Sequence, residues 1–461
     1  MSTPTKSHTA VVRHKPMMTL PQILLMNLGF FGIQYSFGMQ QTAVNPIFTM
    51  LNAKPEELPI MNLAGPLTGL LVQPVIGAMS DRTWSPKWGR RKPFFIVGAV
   101  GCSIGLFLFP FASSVVMAVM LLWLLDISNN TAMEPYRAFI ADKLPPSQLG
   151  KGFLAQSFFT GLGITLANVS LFIFQQFMVG ALANGIPYWV LSAFMLGAVC
   201  SIGTVLVSVL TTHEIPPTDE ELAKMRAKNK GSNPLKEIWE AIVEMPTELR
   251  KLALVYLFQW YGMQCYWQFV ALSVAQSSFD VNVLEGNYAK DPKYLEAVSW
   301  TGLVNGFYNI ITFCVAFSLV SMAKRYGAKY VHISCLVLAA IGLIIFPHIE
   351  NKFLLFIPII GLGIAWASIM GVPYIMAVRM VPSTRFGVYM GIINMMIVIP
   401  MLIQNVTFGP IMKNFLGENP GNAIMFAGAF LALAAVAMLW IKEPPIVRDV
   451  DEMVVPVGGG H

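Results

Sequence analysis

Apolar residues in this chain come in runs of about 20, each long enough for a helix to cross a hydrocarbon core of roughly 30 Å, with short polar clusters between them. Twelve spans are expected, at roughly 20–48, 58–80, 93–112, 114–141, 151–180, 187–212, 251–276, 297–322, 329–347, 353–378, 386–410 and 422–441. The third and fourth are separated only by Ala112-Ser113-Ser114. The longest polar gap, 213–250, is rich in Glu, Lys and Asn and splits the spans six and six. It holds too few apolar residues to build a core, so it reads as a linker with a surface helix. The expected plan is a tail at 1–19, a first bundle at 20–212, the linker at 213–250, a second bundle at 251–441 and a tail at 442–461. The fold class is an all-α polytopic membrane protein of twelve helices in two six-helix bundles.

The two halves echo one another at an offset of about 238 residues. Pro135-Tyr136, followed by Pro145 and Gly150, returns as Pro373-Tyr374, followed by Pro382 and Gly387. The loop Asp81-Arg82…Gly89-Arg90-Arg91 has a weaker echo in Lys324-Arg325…Gly327-Ala328-Lys329. An internal repeat of this length outweighs any single motif as a fold signal. Two parallel six-helix halves joined by a linker resemble the major facilitator architecture, in which the binding site lies between the halves near the membrane midplane.

Composition agrees with the pattern. Of 461 residues, 55% are apolar and 12% charged, and the mean hydropathy is +0.62. Soluble domains carry roughly 25% charge. A formal charge of +6 would in a soluble protein raise nucleic acid as a partner, but here the bases sit in alternate loops. Those loops hold Arg82, Lys87, Arg90, Arg91 and Lys92, then Lys143 and Lys151, then Lys224 to Lys236, then Lys324, Arg325 and Lys329, then Arg379 and Arg385. The positive-inside rule then places both termini in the cytoplasm. No nucleic acid is expected as a partner; the bilayer is, and the expected setting is a bacterial inner membrane. The basic stretch before residue 20 is followed by no cleavage pattern and reads as a cytoplasmic tail. The five cysteines lie in apolar runs without CxxC spacing, so neither a disulfide nor a metal framework is indicated. No P-loop is present, no nucleophile stands with a base, and no cofactor is called for. The chain does not read as an enzyme, and it is expected to be monomeric.

The costly residues are the ionisable ones inside the fourth span, Asp126, Glu134 and Arg137. Counted from Ser114, Asp126 lies about 18 Å in, near the midplane. Arg137 is three turns further, roughly 16 Å from Asp126 and too far to pair with it, and Glu134, one turn from Arg137, can pair with Arg137 instead. Asp126 is then left without a counter-ion on its own helix. A carboxyl desolvated in that way suits a group that loads and releases a proton. The alternative is a structural carboxyl paired across the bundle. Pro135 frees the carbonyl of Thr131 and offers a kink.

Other spans carry polar stripes, which must face protein or a water-filled cavity. Asn27, Gln34, Gln41 and Asn45 share a face of the first span, at heptad-like spacing. The seventh offers Trp260, Gln264 and Trp267 with Gln268 beside them, and the eighth Thr301, Asn305, Tyr308 and Asn309. Amides, a carboxyl and flat aromatic faces are the groups a neutral, hydroxyl-dense ligand wants. Trp300 and Trp366 read equally as packing aromatics, and His332 as a satisfied structural histidine.

The loop Gly77-Ala-Met-Ser-Asp81-Arg82-Thr-Trp-Ser-Pro-Lys-Trp-Gly89-Arg90-Arg91 resembles the major facilitator motif G-x-x-x-D-R-x-G-R-R with an insertion. The resemblance implies a latch for the outward-facing state, built by Gly77, Asp81, Arg82, Gly89, Arg90 and Arg91, with Asp81 taking charge-assisted hydrogen bonds. With the insertion, and with Leu125-Asp126-Ile-Ser-Asn-Asn130…Pro135-Tyr-Arg137-Ala-Phe-Ile-Ala-Asp142 and Gly32-Ile-Gln34-Tyr-Ser-Phe-Gly-Met-Gln40, the first half is similar to the sucrose–proton symporters of plants and their animal and bacterial relatives. The second half matches that family in topology alone. The resemblance implies proton-coupled import of a disaccharide such as sucrose or maltose, with Asp126 in sugar and proton binding and Arg137 in function. Plant members usually have a neutral residue where Glu134 stands. The proton-coupling set is therefore Asp126, Glu134 and Arg137. The expected sugar contacts are Gln34, Gln41, Asp126, Asn130, Gln264, Trp267, Gln268, Asn305 and Asn309. A uniporter, an exporter of another neutral solute and a transporter-like sensor remain open on the sequence.

Overall fold

The structure is a computed structural model that describes residues 15–217, 240, 242–283, 288–380 and 386–443. Twelve long helices run through the described residues, and none of these residues forms a named strand. They are α1 (Leu20–Met39), α2 (Ala64–Arg82), α3 (Lys92–Leu108), α4 (Val115–Lys143), α5 (Pro146–Gln175) and α6 (Tyr188–Thr211). The second set is α7 (Thr247–Ser278), α8 (Pro292–Tyr326), α9 (Ala328–Ile345), α10 (Phe356–Met380), α11 (Phe386–Asn414) and α12 (Pro420–Leu439). Nine segments of the described residues are long and apolar enough to cross a membrane.

Local chemistry sets the helix ends. The soft boundary between the third and fourth spans is fixed by Ser114, whose hydroxyl accepts from Met117 N at 3.2 Å. Asn184 reinforces it by donating to Pro110 O and Ala112 O at 2.9 and 2.8 Å. The fifth helix starts earlier than its apolar run suggests. Pro145 and Pro146 stand where the first turn has no backbone partner to lose, so the helix begins at 146 and stops at 175 rather than 180. The eighth is longer than expected because Asp291 caps it, accepting from Lys293 N at 2.8 Å.

The first span departs most from expectation. After Met39 the helix widens into a π-turn over Gln40–Val44 before a last α-turn, Asn45–Met50. One extra residue in a turn rotates everything beyond it, so a stripe drawn at constant period breaks there.

Helix contacts repeat across the two bundles. In the first, α1 packs on α5 and α6, α3 on α4 and α6, and α2 on α4; in the second, α7 packs on α11 and α12, α9 on α10 and α12, and α8 on α10. Between bundles, α5 meets α8 and α2 meets α11, again a matched pair. Small residues permit the approach. A Cβ on Gly32 would lie 2.5 Å from Cys200 O inside the first bundle, and one on Gly302 would lie 2.5 Å from Asn168 O across the divide. The repeat extends to a capping device that sequence reading missed. Glu214, just after α6, accepts from Arg90 N, Arg91 N and Lys92 N at 2.8, 2.8 and 3.0 Å at the start of α3. Glu443, just after α12, accepts from Ala328 N and Lys329 N at 2.9 and 3.2 Å at the start of α9. Each carboxylate meets the positive end of a helix. Each sits against a glycine of left-handed backbone, Gly89 (φ 78°) or Gly327 (φ 91°).

Glu248 at the start of α7 accepts from Lys442 N after α12 at 2.6 Å, so these ends share one face, the terminal face. The opposite face is the far face.

Candidate functional site

A cavity lies between the bundles, with about 720 Å³ of empty space counted out through its mouth. The first bundle supplies Gln40, Gln41, Asn45, Asn62, Asp126 and Asn130, and the second Gln264, Trp267 and Gln268. Asp126 is the ionisable member of this wall and is 2% exposed. Gly65 packs beside its carboxyl, where a Cβ would stand 3.8 Å from Oδ2. Among the described residues no cation pairs with it. Gln40 stands beside it, and Nε2 of Gln40 is buried without a hydrogen-bond partner.

The twin asparagines that follow Asp126 on α4 point to two different helices. Asn129 Nδ2 donates to Ser36 Oγ of α1 at 2.9 Å. Asn130 accepts from Gln73 Nε2 at 2.7 Å and donates to Thr68 Oγ1 at 3.1 Å, both on α2, and to Asp126 O at 2.9 Å. Asn130 is therefore held at the cavity edge by three of the four hydrogen bonds its amide can make.

Toward the terminal face, Glu134 and Arg137 form the expected pair one turn apart, at 3.7 Å, with side chains 36% and 27% exposed. They reach the cavity wall at neither position. Tyr136 between them is fully buried, bonded to Met26 O and to Ser208 Oγ (2.6 Å), and accepts from Gly29 N at 3.2 Å. It pins α4 to α1 and α6 and leaves Glu134 and Arg137 on the accessible side.

Six of the nine expected sugar contacts, Gln41, Asp126, Asn130, Gln264, Trp267 and Gln268, come together at this cavity. Three do not. Gln34 is buried against Met133 Sδ at 4.0 Å, inside the first bundle. Gln40 and Gln41, the first two residues of the π-turn, line the cavity instead. Asn305 donates to Thr42 Oγ1 at 2.9 Å and accepts from Tyr266 Oη at 2.8 Å, and Thr42 in turn donates to Asn168. Asn309 Nδ2 turns back to Asn305 O at 2.8 Å. The polar stripe of α8 thus meets protein rather than the cavity, and forms a strut between α8, α1 and α5.

The second bundle's wall is an amide network. Asn405 accepts from Gln268 Nε2 at 2.7 Å and Gln264 Nε2 at 3.3 Å, and Gln404 Nε2 donates to Gln268 Oε1 at 2.8 Å. Trp267 Nε1 donates to Tyr308 Oη at 3.3 Å, and its ring stands edge-on to Trp366 at 5.2 Å. Gln404 and Asn405 escaped the sequence reading. Two adjacent amides in an apolar run were the available signal, but they form no stripe. His332 is fully buried and satisfied on both nitrogens, Nδ1 with Ser368 Oγ at 2.8 Å and Nε2 with Gln259 Oε1 at 3.1 Å. Trp300 donates to Lys352 O at 3.0 Å and packs at the far face.

Near the end of α2, Gly77 sits where a Cβ would be 3.6 Å from Glu134 Cγ. Arg91 is 3% exposed and binds Asp142 Oδ2 and Ser80 Oγ at 2.8 and 2.5 Å, while Arg90 Nε donates to Ser80 O at 3.3 Å. The side chains of Asp81 and Arg82 lie outside the described residues.

Known proteins resemble the chain in both sequence and fold. The sequence pattern of the Major Facilitator Superfamily matches residues 26–405. The chain is 26% identical over 471 residues to the sucrose transport protein SUC4 of Arabidopsis thaliana, covering 90% of this chain and 89% of that protein. It is 23% identical over 523 residues to the sucrose transport protein SUT1 of Oryza sativa subsp. japonica, covering 98% and 93%. Among solved structures, a variant of the nucleoside transporter NupG superposes with a TM-score of 0.70 at 13% identity, covering 92% of this chain and 100% of that one. A D-xylose-proton symporter does so at 0.65 and 15%, covering 91% and 97%. These structural likenesses show the fold.

Proposed function

The chain belongs to the Major Facilitator Superfamily, and from that premise we propose that it is a secondary transporter importing a disaccharide together with protons. The observation that carries the reading is the cavity itself. One buried carboxyl, Asp126, faces amides and a tryptophan of the opposite bundle across a single space. A neutral polyol finds donors, acceptors and a flat ring there, and among the described residues of its wall no cationic group to recruit an anion. The names of the plant relatives favour sucrose, with maltose and other α-glucosides of the same chemistry as alternatives.

In the proposed cycle the bundles 20–212 and 251–441 rock as units about the linker 213–250, in a monomer with both termini cytoplasmic. Asp126 takes a proton from outside, the neutral site accepts the sugar, and rocking exposes both to the cytoplasm. The sugar leaves, and the proton follows past the accessible Glu134–Arg137 pair. Coupling arises because an empty site with an ionised, unpaired carboxylate reorients poorly through a medium of low dielectric. The α2–α3 loop, from Gly77 through Gly89, Arg90 and Arg91, serves as the cytoplasmic latch.

The test is external pH in lightly buffered, de-energised cells making the protein, on addition of sucrose and then of maltose. Alkalinisation with either sugar is expected. Sugar entry without any pH change would replace the symporter by a uniporter, and no entry of either sugar would remove the disaccharide.

A further inference from the structure

Asn405 stands where the cavity meets the closure at the far face. It is 1% exposed, behind the wall rather than on it, and both ends of its amide are in use. Oδ1 accepts from the two cavity glutamines, Gln268 and Gln264, at 2.7 and 3.3 Å. Nδ2 crosses the divide to Asn62 O of the first bundle at 3.0 Å. Asn62 is itself clamped, donating to Asn45 Oδ1 at 2.6 Å and Leu58 O at 2.7 Å. One turn beyond Asn405 the two bundles touch backbone to backbone, since a Cβ on Gly409 would lie 2.6 Å from Glu56 O.

We propose that Asn405 is a positioning residue that couples occupancy of the cavity to closure of the far face. This rests on the transport reading above. The reason is geometric. A glutamine side chain has three rotatable bonds and reaches a ligand well only if something fixes its amide. Here one oxygen accepts from two glutamines, of which Gln268 is also held by Gln404, on the same helix as Asn405, and the amide that carries that oxygen is anchored on the opposite bundle. When α11 parts from Asn62, Asn405 loses its anchor, and the two glutamines lose the acceptor that aims them. The closed far face and the ordered wall are thus one arrangement. A ligand that prefers the ordered wall must favour closure, and by linkage closure must favour the ligand by the same factor. The Asn305–Thr42 strut also spans the bundles. Among the described residues its hydrogen bonds run to neither Gln264 nor Gln268, so it spans the bundles without holding the glutamines that Asn405 aims.

The experiment follows closure and binding separately, on purified full-length protein in nanodiscs. Cys200 and Cys314, the two cysteines that are not buried, are replaced by serine, and Met61 in the far-face segment by cysteine. Labelling of that cysteine by a bulky maleimide is timed with and without saturating sucrose or maltose, and binding is measured with the radiolabelled sugar. In the parent, sugar is expected to slow labelling several-fold. In Asn405→Leu, and in Asn405→Ser should the leucine variant fold poorly, sugar still binds, weakened roughly 2- to 10-fold as for loss of one net hydrogen bond, and no longer slows labelling. Equal slowing in a variant that binds sugar would overturn the coupling role. So would complete loss of binding in both variants, because Asn405 would then belong to the site itself. A parent whose labelling ignores both disaccharides and which binds neither would sink the transport reading instead, and the coupling with it.

Discussion

The two bundles share a packing plan and differ in what their interiors hold. In the first, Asp126 is buried at the cavity and Glu134 and Arg137 follow it on α4. At the 238-residue offset of the repeat, the second bundle has Ile364, Val372 and Ile375 in their place. Among the described residues, its buried polar side chains are neutral amides, hydroxyls, tryptophans and a histidine satisfied on both nitrogens. The backbone repeat therefore constrains how helices pack, while the chemistry is free to diverge between copies. Under the proposed mechanism, charge handling is concentrated in one bundle and ligand orientation in the other.

That division can be broken by substitution. The largest effect is expected at Asp126. Asp126→Asn should slow proton-driven sugar uptake by about 100-fold, roughly 2.7 kcal/mol, while sugar-for-sugar exchange persists, as read by radiolabelled uptake and counterflow. Proton-driven uptake at the normal rate would end the division. Next is the converse change, Ile364→Asp. A carboxyl on α10 should add no coupling and should cost insertion or stability by about 2.5–3.5 kcal/mol, visible as lost yield of folded protein. Gain of a second coupled proton would show that the copies are interchangeable.

A smaller effect is expected at the wall of the second bundle. Gln268→Leu should weaken sugar affinity by about 10-fold, near 1.4 kcal/mol, and leave the pH dependence unchanged. In both proteins affinity should fall as pH rises, because the protonated site is the one that accepts sugar. A shifted pH profile in the glutamine variant would mean that proton and sugar are handled together. The smallest effect concerns the shared plan. Glu214→Gln and Glu443→Gln each remove a charge from a helix start and should lower stability by about 1 kcal/mol, to similar degrees, in thermal unfolding. A loss confined to one of them would show that the capping repeat is structural in only one bundle.

Much of this was legible in the sequence, and the failures have physical causes. Nine of the spans followed from apolar length, and the two bundles from the repeat, because a bilayer fixes helix length and leaves few alternatives; the first, seventh and eighth helices carry the polar stripes and fall short of that apolar measure. Helix ends moved where prolines or caps decide them, as at Pro146 and Asp291. Gln41 and Gln34 looked equivalent at constant helical period. Gln34 meets Met133 inside the first bundle, whereas Gln41, at the start of the π-turn, lines the cavity, and the apolar pattern does not announce that turn. Asn305 and Asn309 show the complementary limit. Periodicity identifies a polar face, but it does not say whether that face meets a cavity or the hydroxyl of another helix. Asn405 acts through neighbours distant in sequence, Gln264 and Asn62, so its place became visible only when the helices were assembled.

The proposed transport cycle depends above all on Asp126 exchanging a proton in step with sugar binding. The most direct test is proton uptake by purified protein in weak buffer, followed with a pH indicator as sucrose is added. Uptake should approach about one proton per molecule at pH values where the empty site is ionised. It should vanish in Asp126→Asn while sucrose still binds. Equal proton uptake by the two proteins would contradict the role proposed for Asp126.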